Sequence, residues 1–167
     1  MTSPTPVIRP ETENDLAKIH ALNAAAFETA AEADLVDLLR EAGALTLVAE
    51  SDGEPVGHVA VSPVTINGSD RARWFGLGPI AVHPTHQRQG VGTTLMLKVL
   101  RETAAIDGQG MVLLGNPAFY SRFGFQRSTE LGLSWENGGG PYFQAVNLGT
   151  AEIPSGTVKY HAAFDAV

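Results

Sequence analysis

The sequence predicts a mixed α/β fold, a mixed sheet of about six or seven strands with flanking helices. Three observations lead there. Apolar runs at helical spacing alternate with strand-like runs along the chain and do not segregate into separate halves. Two strand-like runs end in Asp52-Gly53 and Asn67-Gly68, dipeptides that tolerate the positive φ of tight hairpin turns. The run Met111 to Gly115 has no polar face, as in a central strand buried on both sides.

Taking the elements in order, Val7 to Arg9 reads as a short strand. Thr12 and Asp15 are spaced as a capping box for a helix carrying Leu16, Ile19, Leu22 and Phe27. A second helix, about Ala31 to Glu41, places Leu35, Leu38 and Leu39 on one side and stops at Gly43. Three strands follow: Leu45 to Ser51, Pro55 to Ile66, and about Arg71 to Pro84. The last contains Gly76, Gly78 and Pro79, which argue for a bulge or an interruption of pairing. A helix then runs to about Ala105. The buried strand Met111 to Gly115 is followed by a short helix, Pro117 to Phe123, and by strands near Gly124 to Arg127, Phe143 to Leu148 and Val158 to Phe164. Glu136 to Pro141 has the composition of a mobile loop.

A chain of 167 residues with 44% hydrophobic and 17% charged content is expected to form one globular domain, residues 1–167. No apolar run reaches the ~20 residues of a membrane span. The stretch Met1 to Pro10 lacks the layout of a signal peptide, so the expected compartment is the cytoplasm. There is no cysteine, which excludes disulfides, thiolate zinc sites and a Cys nucleophile. The histidines show no metal-ligand spacing, so no metal site is expected.

A net charge of −7 argues against nucleic acid as a partner. From Arg71 to Arg101, however, there is no Asp or Glu, while Arg71, Arg73, Arg88, Lys98 and Arg101 are present. A basic island in an acidic chain suits a small polyanion.

That island contains Gly90 and Gly92, placed where a strand gives way to a helix. Glycine lets backbone N–H groups approach a bound group, and a helix N-terminus favours an anion. Thr93, Thr94 and Arg88 are potential additional donors. The spacing is neither a Walker loop nor a dinucleotide fingerprint. On glycines alone, a phosphate site and a plain tight turn stay equally open.

Gln87-Arg88-Gln89-Gly90-Val91-Gly92 resembles the Q/R-x-x-G-x-G/A signature of the GNAT family of N-acetyltransferases, with the strand before it and the amphipathic helix after it that the family requires. The block Gly115 to Phe125 is similar to the family's next segment, a strand, then Asn, then a short helix with Tyr before Gly-Phe. The combination resembles the YhbS-like branch. The resemblance covers nearly the whole chain.

It implies the acyl-CoA N-acyltransferase fold and transfer of the acetyl group of acetyl-CoA to a primary amine by direct attack. In the family the cosubstrate lies between two diverging parallel strands, which here would be Leu77 to His83 and Met111 to Gly115. The implied contacts are backbone groups of Ile80, Ala81 and Val82 for the pantetheine arm. The diphosphate falls to the loop Gln87, Arg88, Gln89, Gly90, Val91, Gly92 and Thr93. Asn116 is either a pantetheine contact or a turn opener. Tyr120 aligns with the general acid that meets the leaving thiolate, against an alternative role in packing with Phe119, Phe123 and Phe125. A backbone N–H near Ala81 or Val82 is the implied oxyanion donor.

One departure stands out. Many members carry a Glu on the strand before the loop, and Arg71 to Pro84 has none. Glu28, Glu32, His58 and His83 are candidate bases by residue type only, and a water-relayed path for the amine proton is preferred. Glu28, Glu32, Asp34 and Asp37 would lie toward the acceptor or form a solvated face, with Trp135, Tyr142 and Phe143 available for a second, apolar wall. A homodimer is compatible with the sequence. The competing function is a non-catalytic acyl-CoA-binding module on the same fold, against which Tyr120 speaks.

Overall fold

The computed structural model describes residues 5–167. Part of the N-terminal stretch used above to judge a leader, residues 1–4, lies outside them. The strands are β1 (Val7–Arg9), β2 (Leu45–Ser51), β3 (Glu54–Pro63), β4 (Thr65–Ile66), β5 (Trp74–Val82), β6 (Gly110–Leu114), β7 (Gln126–Arg127), β8 (Leu133–Trp135), β9 (Phe143–Asn147) and β10 (Gly156–Lys159). The helices are α1 (Leu16–Ala26), α2 (Ala31–Glu41), α3 (Val91–Ala105) and α4 (Pro117–Tyr120). A seven-stranded mixed sheet has the order β1-β2-β3-β5-β6-β9-β7, and a three-stranded sheet the order β4-β10-β8. This agrees with the α/β expectation.

The chain divides into two compact units. The first holds the residues up to Val61, Gly78–Val99 and Ala162–Val167; the second holds Ser62–Leu77 and Leu100–His161. In the first, β1 and β2 pair antiparallel, as do β2 and β3. The turn joining β2 to β3 has positive φ at both Asp52 and Gly53, as their sequence requires. The capping box forms: Asp15 Oδ2 accepts from the Thr12 N–H at 2.8 Å and from its hydroxyl at 3.1 Å. α2 ends at Gly43 (φ +84), with the Ala44 N–H reaching back to the Leu39 carbonyl at 3.0 Å. Leu35, Leu39, Ala60 and Ala163 form one core cluster, and Ile19, Val36 and Val48 another. Gly57 has no room for a side chain: a Cβ there would stand 2.9 Å from Leu95 Cδ1 and 2.9 Å from Val91 Cγ1. α3 therefore seats closely on β3.

The first unit also contains a buried polar network absent from the sequence expectations. His58 on β3 is fully buried, with Nε2 3.1 Å from Glu11 Oε1. Glu11 Oε2 accepts from Arg40 Nε, and Arg40 Nη1 donates to Asp37 at 2.7 Å. Burial alone would raise the Glu11 carboxyl, but hydrogen bonds from His58, Thr46 and Arg40 outweigh it and bring the pKa down to about 2.

In the second unit β5 and β6 run parallel, from Trp74↔Gly110 to Gly76↔Val112, and β6 pairs antiparallel with β9. The core gathers Val64, Ile66, Trp74, Val112, Leu133, Phe143, Ala145 and Val158, with Trp135 and Tyr160 packed against it. Gly110 is glycine because Trp74 occupies the place of its side chain.

Several boundaries differ from expectation. Pro55 to Ile66 is two strands: β3 pairs with β2, while β4 pairs with β10. Asn67-Gly68 keeps its positive φ values but turns within a short Ile66–Ser69 bridge, not between two long strands. Residues 162–165 form a 3-10 turn where a strand was expected, and β8 was not foreseen. The Glu136 to Pro141 segment is tightly turned: Trp135 bridges Gly138, and Gly140–Tyr142 is a 3-10 turn. Leu114, expected in a fully buried strand, is 42% exposed.

Candidate active site

The loop before α3 belongs to the first unit. β5 reaches it through Gly78 (φ +143) and Pro79, where the sequence suggested an interruption. Ala81 is buried, whereas Ile80 and Val82 are partly exposed. His83 caps the 3-10 turn Pro84–His86, its Nδ1 accepting from the Thr85 N–H at 3.2 Å. Gln87 Nε2 donates to the Val82 carbonyl at 3.0 Å, and Gln89 Nε2 to the Thr85 carbonyl at 3.2 Å. These glutamine side chains thus brace the loop against itself.

Arg88 and Gly90 both adopt left-handed backbone, φ +63 and +86. Arg88, Gln89 and Gly90 are exposed, and nothing lies within 4 Å of where a Gly90 side chain would begin. Glycine at 90 is therefore required by φ, while the space beside it stays open. Val91 turns inward as the first buried residue of α3, with Gly92 and Thr93 partly exposed. Thr94, offered above as an extra hydroxyl donor, already donates to the Gly90 carbonyl at 2.9 Å. What the loop presents is open backbone at the start of a 15-residue helix, which suits an anion.

The basic island is less uniform than its sequence suggests. Arg73 lies in the second unit, where its guanidinium donates to the Ile106 and Asp107 carbonyls at the end of α3. It caps a helix C-terminus and takes no part in the loop.

Asn116 and Tyr120 also lie in the second unit. Asn116 is the N-cap of α4, its Oδ1 accepting from the Ala118 N–H at 3.0 Å, which matches the turn-opening role. Tyr120 is only 9% exposed and meets Phe119 and Phe125 edge-on, with centroids 4.9 and 6.0 Å away. Its ring occupies the place where Gly115 would carry a side chain. Packing thus fixes the ring, and burial pushes the phenol pKa up.

Of the candidate bases, His58 is committed to Glu11 and His83 to Thr85. Glu28 is exposed, and Glu32 lies 3.5 Å from the Thr29 hydroxyl. Asp34 and Asp37 line an ion-paired helix face with His20, whose Nε2 is 3.2 Å from Asp34. Sequence reasoning missed Gln144, which is buried between strands with its amide bonded to the Gly115 and Tyr142 carbonyls at 3.0 and 3.3 Å. A polar residue inside an otherwise apolar strand, Phe143 to Val146, was the available signal.

Among the described residues no helix is long and apolar enough to cross a membrane. The family model for the acetyltransferase (GNAT) domain matches residues 42–127. The uncharacterized N-acetyltransferase YhbS of Escherichia coli K12 is 37% identical over 166 residues, covering 95% of this chain and 98% of that protein. The crystal structure of E. coli YhbS in complex with CoA superposes with a TM-score of 0.90 at 36% identity, covering 99% of this chain and 96% of that one. A GNAT acetyltransferase from Brucella melitensis, solved with acetyl-CoA, has a TM-score of 0.82 at 40% identity, covering 95% and 97%. The chain belongs to the GNAT family of N-acetyltransferases.

Proposed function

We propose that residues 1–167 act as one N-acetyltransferase domain that moves the acetyl group of acetyl-CoA to a primary amine. The observation that carries the proposal is the exposed left-handed backbone at Arg88 and Gly90, open on its outer side where it enters α3. The CoA and acetyl-CoA complexes of the two relatives support that ligand class.

The backbone N–H groups of Gln87 to Thr93 would hold the diphosphate, and the edge formed by Ile80, Ala81 and Val82 the pantetheine arm. Asn116, with Oδ1 engaged as a cap, has its amide nitrogen to offer. The neutral amine attacks the thioester carbonyl carbon. The C–S bond breaks, an amide forms, and the sulfur leaves as thiolate. A backbone N–H at Ala81 or Val82 meets the oxyanion, where such a donor is worth about 3 kcal/mol. The amine's proton leaves through water, since His58 and His83 are committed elsewhere.

Tyr120 serves the leaving thiolate. A phenol starts near ~10 and a thiol near ~8.5. Burial pushes Tyr120 further up, so its O–H stays protonated and stabilises the thiolate first by hydrogen bond, completing proton transfer late.

The test is thiol release from acetyl-CoA across amines, amino acids, polyamines and peptides, with wild type and Tyr120→Phe. Turnover is expected to fall about a hundredfold in Tyr120→Phe, with acetyl-CoA affinity nearly unchanged. Equal turnover removes Tyr120 from the mechanism, and tight CoA binding with no release from any acceptor points to an acyl-CoA-binding module. We place the reaction in the cytoplasm, which cell fractionation would test. A homodimer is the assembly to test by light scattering; a monomeric mass excludes it.

A further inference from the structure

The ladder between β5 and β6 ends at Gly76↔Val112, yet β5 runs on to Val82 and β6 to Leu114. The two faces of the sheet are closed differently at the point where pairing stops. Side chains alternate across a strand, so Phe75, Leu77, Met111 and Leu113 share one face, and all four are buried. There the strands fill their own space. The other face carries Gly76 beside Val112, and Gly76 brings no side chain.

Its cover comes from a distant part of the chain. A Cβ on Gly76 would stand 2.6 Å from Tyr160 Cε1, 2.8 Å from Tyr160 Cδ1 and 3.0 Å from Val64 Cγ1. These two neighbours arrive together. β10 pairs antiparallel with β4 as far as Lys159↔Thr65, so Tyr160 follows level with Val64. The Val64 N–H in turn donates to the Trp74 carbonyl at 3.1 Å, which ties that level to β5. Trp135 meets the Tyr160 ring edge-on, with centroids 5.9 Å apart. Burial pushes the Tyr160 phenol up, so the ring stays neutral.

The cover stops at that level. Val112 and Leu114 lie two apart on one face of β6, but Val112 is fully buried and Leu114 is 42% exposed. That face is therefore sealed at Gly76 and Val112 and open one step further along β6. All of these residues belong to the second unit.

The direction of the cosubstrate follows from the contacts assigned to it. With the diphosphate at Gln87 to Thr93 and the pantetheine arm along Ile80 to Val82, the thioester lies at the end of the arm away from the loop. That end faces the N-terminal part of β5, and the acyl group extends toward Gly76. We propose that Tyr160 and Val64 form the floor of the acyl site and that this floor restricts the transferred group to acetyl. A longer acyl chain would run into the Tyr160 ring, against which Trp135 is packed. The proposal rests on acetyl-CoA being the cosubstrate, and the experiment separates the two.

Binding of CoA, acetyl-CoA and butyryl-CoA is measured by calorimetry, with no acceptor present, for wild type, Tyr160→Val, Tyr160→Phe and Val64→Ala. Wild type should bind butyryl-CoA at least about tenfold more weakly than acetyl-CoA, the effect of an extra methylene against a closed wall. Tyr160→Val should bring the two within about threefold, and Val64→Ala should narrow the gap part-way, with CoA affinity changed less than about twofold in both. Tyr160→Phe keeps the ring and should restore the wild-type ratio. Loss of discrimination in Tyr160→Phe would assign the limit to the hydroxyl and overturn the floor. Equal affinities in wild type overturn it, as does a ratio unchanged in both Tyr160→Val and Val64→Ala. If Tyr160→Val alone loses CoA binding, the Val64→Ala ratio decides; loss in both variants means that these side chains only support the fold, and the floor falls. A wild type that binds none of the three ligands removes the cosubstrate and the floor together. One that discriminates as expected but releases no thiol to any acceptor keeps the floor while the transferase assignment falls.

Discussion

In the first unit a carboxylate, Glu11, sits between the imidazole of His58 and the guanidinium of Arg40; nearby, Arg9 links Asp15 at 2.7 Å and Glu50 at 2.6 Å. In the second unit rings pack on one another: Trp135 on Phe143, Tyr160 against Trp135, Tyr120 against Phe125. One unit ties its segments with charge and the other with aromatic packing. Glycine follows the same division. Gly90 and Gly139 share left-handed φ values of +86 and +78, yet only Gly139 has neighbours where a side chain would grow. A glycine beside open space leaves backbone accessible, whereas one beneath side chains closes a core.

The largest effect should come from filling that closed position. Gly139→Val adds a β-branched side chain at positive φ and collides with Phe143 and Leu114, at an expected cost of about 3 to 4 kcal/mol in urea unfolding. A cost under about 1 kcal/mol would break the contrast between the two glycines.

Next comes acid. Glu11 is ordinarily near 4.5 and is held at about 2, so its contribution is present above the unfolded value and is lost as the pH falls from 4.5 to 2. That is worth up to about 3 kcal/mol. Glu11→Gln should be less stable at neutral pH and show a flatter decline over this window. If its acid profile matches wild type, charge is not what holds the first unit.

The smallest effect isolates φ alone. Gly90→Ala meets no neighbour, so it should cost about 1 kcal/mol of stability from left-handed strain. By calorimetry it should also weaken CoA binding by about tenfold, as the diphosphate role proposed for this loop requires. Comparison with Gly139→Ala, at similar φ, subtracts the strain and leaves the collision.

Sequence alone revealed most elements that local chemistry decides. The capping box at Thr12 and Asp15, the turns at Asp52-Gly53 and Asn67-Gly68, and the stop at Gly43 are each written in a few adjacent residues. The family signature around Gly90 was legible for the same reason. What escaped depends on partners distant in the chain. β8 is short and gains its identity from pairing with β10, as does β4, while β10 itself begins at Gly156 and ends at Lys159, where a strand from Val158 to Phe164 was expected. Gln144 and Gly139 acquire meaning only through Gly115 and Leu114. The composition of Glu136 to Pro141 pointed to mobility, but three left-handed glycines can as readily specify a tight turn once Trp135, Leu114 and Phe143 stand over them. Arg73 misled in the opposite direction, its charge counting toward the basic island although its hydrogen bonds serve the end of α3.

The first unit is discontinuous, and its closing piece is residues 162–167, where Ala163 packs on Leu35, Leu39 and Ala60. During synthesis α2 therefore leaves the ribosome long before the residues that complete its cluster, with the entire second unit translated in between. Until then Leu35 and Leu39 lack part of their cover and must wait, exposed to chaperones or to other nascent chains. Fragment complementation that divides the chain at one peptide bond cannot give each fragment a whole unit. A reporter fused directly behind residue 160 would test folding of an unfinished first unit.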